Sequence, residues 1–335
     1  MKKINIAVLG PSNIAFRRTV PAIINSDFFN YVGVARASRE EWGNEETFVN
    51  ISECEINKCK EFYDSFGGET FDSFSSVLTD KNIDAVYIPL PPSLHKKWAI
   101  KALEFGKHVI LEKPFTTNAV DTAEIISLAK KKNLVVHENY AFLYHKQIQA
   151  LSNILNNRTL GDLRLIRATF SFPYRGEGDF RYHKSMGGGS TIDCGGYPIK
   201  LATYFLGSNC RLISSSLYNC RNHDVDVYGC ATLEKEDVSA QLSWGMDNSY
   251  KCDIEIYGSI GCAKTNRVYS PTSDMETTII VEINNEKEII TVEPDDQFKN
   301  SIDFFARCIY GIDEENYDSI IQQAKLIDSI LEGAL

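Results

Sequence analysis

A chain of 335 residues, 43% of them hydrophobic, is long enough for two domains and a sizeable core. A formal charge of −10 argues against a general nucleic-acid surface, and no apolar run is long enough to span a bilayer, so neither partner is expected. Nine cysteines without a CxxC pair, and six histidines without HxxxH or HExxH spacing, point to reduced thiols rather than a metal site or a disulfide frame.

The chain opens directly on a strand at 4–9 (INIAVL) with no signal-peptide h-region, which points to the cytoplasm. Gly10-Pro11-Ser12-Asn13-Ile14-Ala15 follows, then a helix from about 13 to 24. Strand, tight turn and helix make a phosphate-binding entry, in which backbone N–H groups and the helix start hold a pyrophosphate. Only Gly10 is a glycine in this turn; Ser12 and Ala15 stand where GxGxxG has its second and third. The second strand, 31–37, ends in Ser38-Arg39, where dinucleotide folds read the adenosine ribose. A hydroxyl and a guanidinium suit a 2′-phosphate, so NADP(H) is favoured over NAD(H). The plainer alternative is that Arg39 begins a solvated loop beside Glu40 and Glu41.

Residues 40–53 are polar and poorly periodic and read as a surface insertion. Helices are expected at 57–66, 73–78, 93–105 and 117–131, with strands at 85–88, 109–111 and 134–136 between them. This alternation predicts a doubly wound parallel sheet over 1–137. At the end of the strand 109–111 stand Glu112, Lys113 and Pro114. Charged groups just past a parallel strand lie where such sheets bind ligands, and Pro114 restricts the backbone of Lys113. The plain alternative is a surface loop pair.

Beyond residue 160 the alternation becomes strand-like at 163–172, 211–219, 225–233, 239–244, 252–257, 277–283 and 287–292. A mostly antiparallel sheet over 138–295 with one face to spare is therefore expected. Closing helices at 298–310 and 317–331 pack back on the first domain or bridge the two. Within this half, Gly187-Gly188-Gly189 permits a chain path few residues can take. Asp193 and Tyr197, four apart, share a face if a helix begins near Thr191. A tyrosine can protonate a developing alkoxide, assisted by a nearby ammonium; otherwise Tyr197 packs and Asp193 caps. Arg181, His183 and Lys184 make a clamp for an anionic substrate or, equally, a solvated loop.

With both clusters in view, the chain resembles the glucose–fructose oxidoreductase and inositol dehydrogenase (Gfo/Idh/MocA) family over nearly its whole length. The resemblance rests on E-K-P at Glu112-Lys113-Pro114 and GGG-x-x-x-D-x-G-x-Y from Gly187 to Tyr197, in this order. Within the family it is most similar to NDP-hexose 3-ketoreductases, through LGPSNIAFRRTVPAI, YIPLPPSLHKKW, HENYAF, GDFRY, IDCGGYPIKLATYFLG and DDQF. It departs from the pattern at Pro11 and in the length of the 40–53 insertion. The resemblance implies a Rossmann domain plus an α+β domain with an open, mostly antiparallel sheet. It implies Lys113 and Tyr197 as the pair near the nicotinamide and the substrate carbonyl, either one the proton donor, with Asp193 beside them. It implies NADP(H) contacts from Ser12, Asn13, Ile14, Ser38, Arg39, Leu90, His95, Glu112 and Lys113, joining Gly10. The expected substrate is a sugar ketone, nucleotide-linked, with Arg181, His183 and Lys184 toward its diphosphate, and the expected assembly a homodimer or homotetramer through the second sheet. Two alternatives stay open: an NAD(P)-dependent dehydrogenase of a free sugar, polyol or trans-dihydrodiol, and an NADP(H) sensor without turnover.

Overall fold

The computed structural model describes residues 2–42, 45–207 and 209–333. The chain divides into two compact units: Met1–Phe115 with Ala123–Asn139 and Phe298–Glu315, and Thr116–Thr122 with Tyr140–Gln297 and Asn316–Leu335.

The first unit is built on six parallel strands: β1 (Ile4–Leu9), β2 (Phe29–Ala35), β3 (Glu69–Phe71), β4 (Ala85–Ile88), β5 (His108–Leu111) and β6 (Val136–Glu138). Their order is β3-β2-β1-β4-β5-β6. The chain therefore leaves β1 toward one edge and returns at β4 to build the other, the topological switch at which such sheets open a crevice past their strand ends. Continuous apolar runs make β1 and β4 strands that can be covered on both faces. Ile6, Ala7, Val8 and Leu9 are all fully buried, though they point alternately to opposite faces. On one face, Val20, Phe62, Ile302 and Phe305 from three helical segments pack against Ile4, Ile6, Val8 and Tyr87.

The second unit carries eight strands: β7 (Leu163–Ser171), β8 (Arg211–Tyr218), β9 (Tyr228–Lys235), β10 (Val238–Gly245), β11 (Lys251–Gly258), β12 (Gly261–Asn266), β13 (Thr277–Ile283) and β14 (Glu286–Val292). They run in the order β14-β13-β12-β11-β7-β10-β9-β8 and are antiparallel except where β7 meets β10. Asn284 and Asn285, both at positive φ, make the tight turn between β13 and β14. Helices Lys146–Asn156, Gly196–Leu206 and Tyr317–Gly333 pack on one sheet face. The other face is polar, with Arg167 bonding to Gln241 and Thr169 to Ser243 across β7 and β10.

The expected fold class is what the strands form, but several element boundaries differ. The stretch 40–53 is not an irregular insertion: a helical turn occupies Arg39–Trp42, and one helix runs from Glu45 to Phe66. No Gly or Pro interrupts Glu45–Phe66, and once a helix is nucleated each further turn extends it without a new nucleus. β2 ends at Ala35 rather than 37, and β6 starts at Val136 rather than 134. β3, β12 and the helix Lys146–Asn156 were not anticipated. β3 is three residues long, and Gly-Cys-Ala-Lys-Thr-Asn in β12 has little β-propensity of its own. β9 begins three residues later than its sequence suggests, because Asp226 is drawn into a cap described below.

Candidate active site

In the first unit, β1 ends in Gly10 at φ +108, and a Cβ there would lie 2.7 Å from Leu90 Cδ2. Glycine is needed here for the backbone angle. Gly10 N–H donates to Ala35 O (2.9 Å), Ser12 N–H to Gly10 O (2.9 Å), and Ser12 Oγ accepts from Ala15 N–H (3.2 Å). Helical structure runs from Asn13 through a π-turn at Ala15–Thr19 to Asn25. A glycine turn leading from the end of β1 into a helix start, at the switch point of the sheet, fits the pyrophosphate of a dinucleotide.

At the end of β2, Arg39 is exposed and Ser38 half-buried. Glu41 faces inward: its carboxylate accepts from Ser38 N–H (2.9 Å), Phe74 N–H (2.9 Å), Ser75 N–H (2.8 Å) and Ser75 Oγ–H (2.6 Å). Burial alone would raise its pKa, but the bonds from Ser75, Ser38 and Phe74 outweigh this and hold it low. Glu41, two residues past Arg39, is thus occupied by the start of the helix Phe74–Thr79.

Two turns beyond, His95 is fully buried and joins the β4 and β5 ends. Its Nε2 lies 2.8 Å from Leu90 O, and its Nδ1 lies 2.9 Å from Pro114 O and 3.3 Å from Phe115 O. Burial lowers its pKa against the pull of those carbonyls, and the Lys113 charge lowers it further. The Lys113–Pro114 bond is cis. Glu112 Oε1 accepts from Tyr87 Oη–H (2.6 Å) and from Asn139 Nδ2–H (2.7 Å), and Thr19 Oγ1 donates to Tyr87 (3.1 Å). Burial raises the Glu112 pKa although Tyr87, Asn139 and Lys113 all act to lower it. Burial and the Glu112 charge together push the Tyr87 phenol well above its ordinary value. Tyr87, Asn139 and Thr19 lie in stretches quoted from the sequence, but no role was assigned to them. Nothing local marks them, because each reaches Glu112 or its partner from a different element.

In the second unit, the glycine-rich segment is explained by what each glycine meets. A Cβ on Gly188 would lie 2.4 Å from Arg181 O, on Gly189 (φ +124) 2.7 Å from Asp226 Oδ1, on Gly195 2.9 Å from the Trp244 ring, and on Gly196 2.1 Å from Tyr140 Oη. Asp226 Oδ2 accepts from Thr191 N–H (2.7 Å), Thr191 Oγ1–H (2.7 Å) and Ser190 Oγ–H, and so anchors the start of the helical segment. Trp244 Nε1–H adds a bond to Thr191 Oγ1 (3.2 Å).

That segment is not the regular α-helix expected from Thr191. Thr191–Gly195 is a π-turn, and Gly196–Leu206 the α-helix. With i→i+5 bonding the turn is wider, so the four-residue spacing of Asp193 and Tyr197 does not by itself align them. Asp193 accepts from Arg181 Nε–H at 2.8 Å. The half-buried Tyr197 ring sits among Phe170 (4.8 Å between centroids), Tyr140 (5.3 Å), Tyr269 (5.4 Å) and Phe142 (5.8 Å). This aromatic nest fixes the ring plane. Tyr140 and Phe142 belong to the HENYAF stretch, which was visible in the sequence without a role.

Arg181, His183 and Lys184 do not form one cationic group. Arg181 stands between Asp193 and Asp179 (3.1 and 3.2 Å to the two Asp179 oxygens), over the Phe180 ring. Burial opposes its charge, yet the two carboxylates raise its pKa further. His183 and Lys184 are exposed; His183 Nε2 lies 2.8 Å from Glu177 O, and Lys184 N–H donates to Asp224 (3.2 Å). Among the described residues no group of three His, Cys, Asp or Glu side chains could hold a metal ion, no helix is long and apolar enough to cross a membrane, and no disulfide joins the cysteines.

Comparison with known proteins adds to this. The sequence model of the GFO/IDH/MocA oxidoreductase family, NAD-binding Rossmann fold, matches residues 4–140, and that of the GFO/IDH/MocA C-terminal domain matches 148–264. A dTDP-3,4-didehydro-2,6-dideoxy-alpha-D-glucose 3-reductase from Actinomadura kijaniata is 32% identical, over 99% of this chain and 96% of the relative. The Saccharopolyspora spinosa enzyme of the same description is 33% identical over 98% and 97%. The crystal structure of KijD10, a 3-ketoreductase from Actinomadura kijaniata in complex with NADP and TDP-benzene, superposes with a TM-score of 0.90 at 32% identity, covering 99% of this chain and 98% of that one.

Proposed function

The chain belongs to the GFO/IDH/MocA oxidoreductase family, and we propose that it reduces a ketone on a nucleotide-linked sugar with NADPH, specifically the C3 ketone of a dTDP-linked keto-deoxyhexose. The observation that carries this reading is the end-to-end likeness to the Actinomadura 3-reductase in a chain that keeps both Lys113 and Tyr197 in their motifs. The keto-sugar and its nucleotide are proposed on the strength of the relatives, and the chemistry on that of the residues.

The bound nicotinamide supplies the hydride for the carbonyl carbon. Gly10, Ser12, Asn13 and Ile14 hold the pyrophosphate, and Ser38 and Arg39 take the adenosine 2′-phosphate. Glu41, occupied by backbone N–H groups, leaves that place to a guanidinium. Leu90, His95, Glu112 and Lys113 complete the cofactor contacts. Tyr197 donates the proton to the carbonyl oxygen while Lys113 steadies the developing oxyanion; the reverse division of labour uses the same two side chains. Asp193 holds its place in the widened turn against Arg181, so Arg181 serves the helix start first. His183 and Lys184, both exposed, face the diphosphate. The polar outer face of the second sheet is the surface through which we expect a homodimer or homotetramer to form. Exposed thiols at Cys54 and Cys230 suit a reducing compartment such as the cytoplasm.

One observation favours a second reading, a dehydrogenase of a free sugar, polyol or trans-dihydrodiol. The commitment of Arg181 to two carboxylates removes a cation from the expected diphosphate clamp. A thermal-shift series separates the two. NADPH should stabilise the protein more than NADH, and dTDP should add to the NADPH shift, each by about 2.7 kcal/mol at a hundredfold excess over Kd. A shift with NADPH and a neutral polyol, but none with dTDP or a dTDP-sugar, would overturn the nucleotide-sugar reading.

A further inference from the structure

A line of buried hydrogen bonds runs from Glu112 to the segment after the helix Gln297–Ile309, and from Glu112 as far as His137 each polarity is set by the one before. The Glu112 carboxylate only accepts, so Asn139 must present its NH2 to it (2.7 Å). The amide carbonyl then faces Ser301, whose single hydroxyl hydrogen goes to it (3.0 Å). Ser301 Oγ is left as an acceptor for His137 Nε2–H (2.9 Å), and on the other side of the ring Nδ1 lies 2.6 Å from Glu315 Oε2. Ser301 is completely buried, and His137, Asn139 and the Glu315 side chain are each nine-tenths buried or more. Phe304 and Phe305 pack against the imidazole and hold its plane. All these residues belong to the first unit, yet Glu315 lies some two hundred positions from Glu112 in the chain.

A fully directed polar chain of this kind transmits orientation, because no member can rotate without leaving a neighbour unsatisfied. We propose that His137 and Glu315 are positioning residues for the Glu112 carboxylate, acting through Ser301 and Asn139, and that they thereby set affinity for the nicotinamide cofactor. Glu315 holds the far nitrogen of the ring and so keeps the imidazole in place beside Ser301. Ser301 fixes the amide of Asn139, and the amide with Tyr87 fixes Glu112 beside Lys113. This rests on the assignment of Glu112 and Lys113 to the cofactor site.

The test is NADPH titration of the full-length protein, read by nicotinamide fluorescence, together with kcat and KM. Ser301→Ala and His137→Leu should each weaken NADPH binding about tenfold, the loss expected for one hydrogen bond serving a charged group. The double variant should be no weaker than either single one, since both interrupt one chain. His137→Gln, which can still donate to Ser301, should return binding to within about threefold of the parent. Unchanged NADPH affinity in Ser301→Ala, or losses that multiply in the double variant, would overturn the proposal. If His137→Leu fails to fold, Ser301→Ala decides alone. A parent that binds NADPH but does not reduce the nucleotide sugar overturns the substrate reading, and the titrations still decide this one.

Discussion

Tyr197→Phe and Lys113→Ala each lower kcat by about two to four orders of magnitude, roughly 3–5.5 kcal/mol of barrier, the usual size for a positioned acid–base group. Tyr197→Phe leaves the fold undisturbed. The Tyr197 ring is held by Phe170, Tyr140, Tyr269 and Phe142, and phenylalanine keeps all of those contacts. The melting temperature and KM of Tyr197→Phe therefore stay near those of the parent, and the loss falls on kcat. On the proposed assignment, proton delivery and oxyanion stabilisation act on one oxygen, so the double variant is expected to be scarcely slower than the slower single one. Steady-state kinetics at saturating NADPH check both points. If both single variants turn over like the parent, the assignment of these two residues is wrong.

Asp226→Ala is the second large effect, and it combines stability with activity. The carboxylate takes three hydrogen bonds from Ser190 and Thr191 in the interior, and alanine leaves those donors buried without it. The expected loss is about 3 kcal/mol, more than an ordinary cap substitution, because several donors are orphaned together. For a domain of this size that lowers the melting temperature by roughly 6–12 °C. The helix so loosened carries Asp193 and Tyr197, so kcat falls even at temperatures where the protein stays folded. Asp226→Asn keeps an acceptor and the shape, and lies between alanine and the parent in both readouts. Calorimetry with parallel kinetics checks this; an unaltered melting temperature in Asp226→Ala would show that the cap does not anchor the helix.

Asp226 also shows what the sequence could not convey. The apolar runs of β1, β4 and β5 were legible because burial on both faces demands a continuous stretch of hydrophobic residues. E-K-P and the glycine-rich motif were legible because each is contiguous. Asp226 is thirty-five residues from Thr191 and sits in what looks like the start of a β-rich run, so only the three-dimensional arrangement reveals it as a cap. The same holds for Tyr87 and Asn139 around Glu112, which arrive from neighbouring strands. Of the helix Glu45–Phe66 only the part from 57 onward was anticipated: its first half has little periodicity, yet nothing in it stops a helix once begun. The π-turn at Thr191–Gly195 defeated the spacing rule itself, since a four-residue interval carries its usual meaning only in an α-helix.

Arg181 illustrates the limit of reading charge from composition. A cationic stretch in an acidic chain read equally as an anion clamp or a solvated loop, and the Arg181 guanidinium lies between Asp179 and Asp193 at the helix start. The measurement that tests the central proposal most directly is turnover of the purified protein with NADPH and dTDP-3,4-didehydro-2,6-dideoxy-alpha-D-glucose, followed by loss of nicotinamide absorbance and by the mass of the product. The expected result is one NADPH oxidised per sugar and a product heavier by two hydrogens, with no reaction of the corresponding sugar lacking its nucleotide. No oxidation of NADPH with the nucleotide sugar, alongside reduction of NADP by a free sugar, polyol or dihydrodiol, would contradict it.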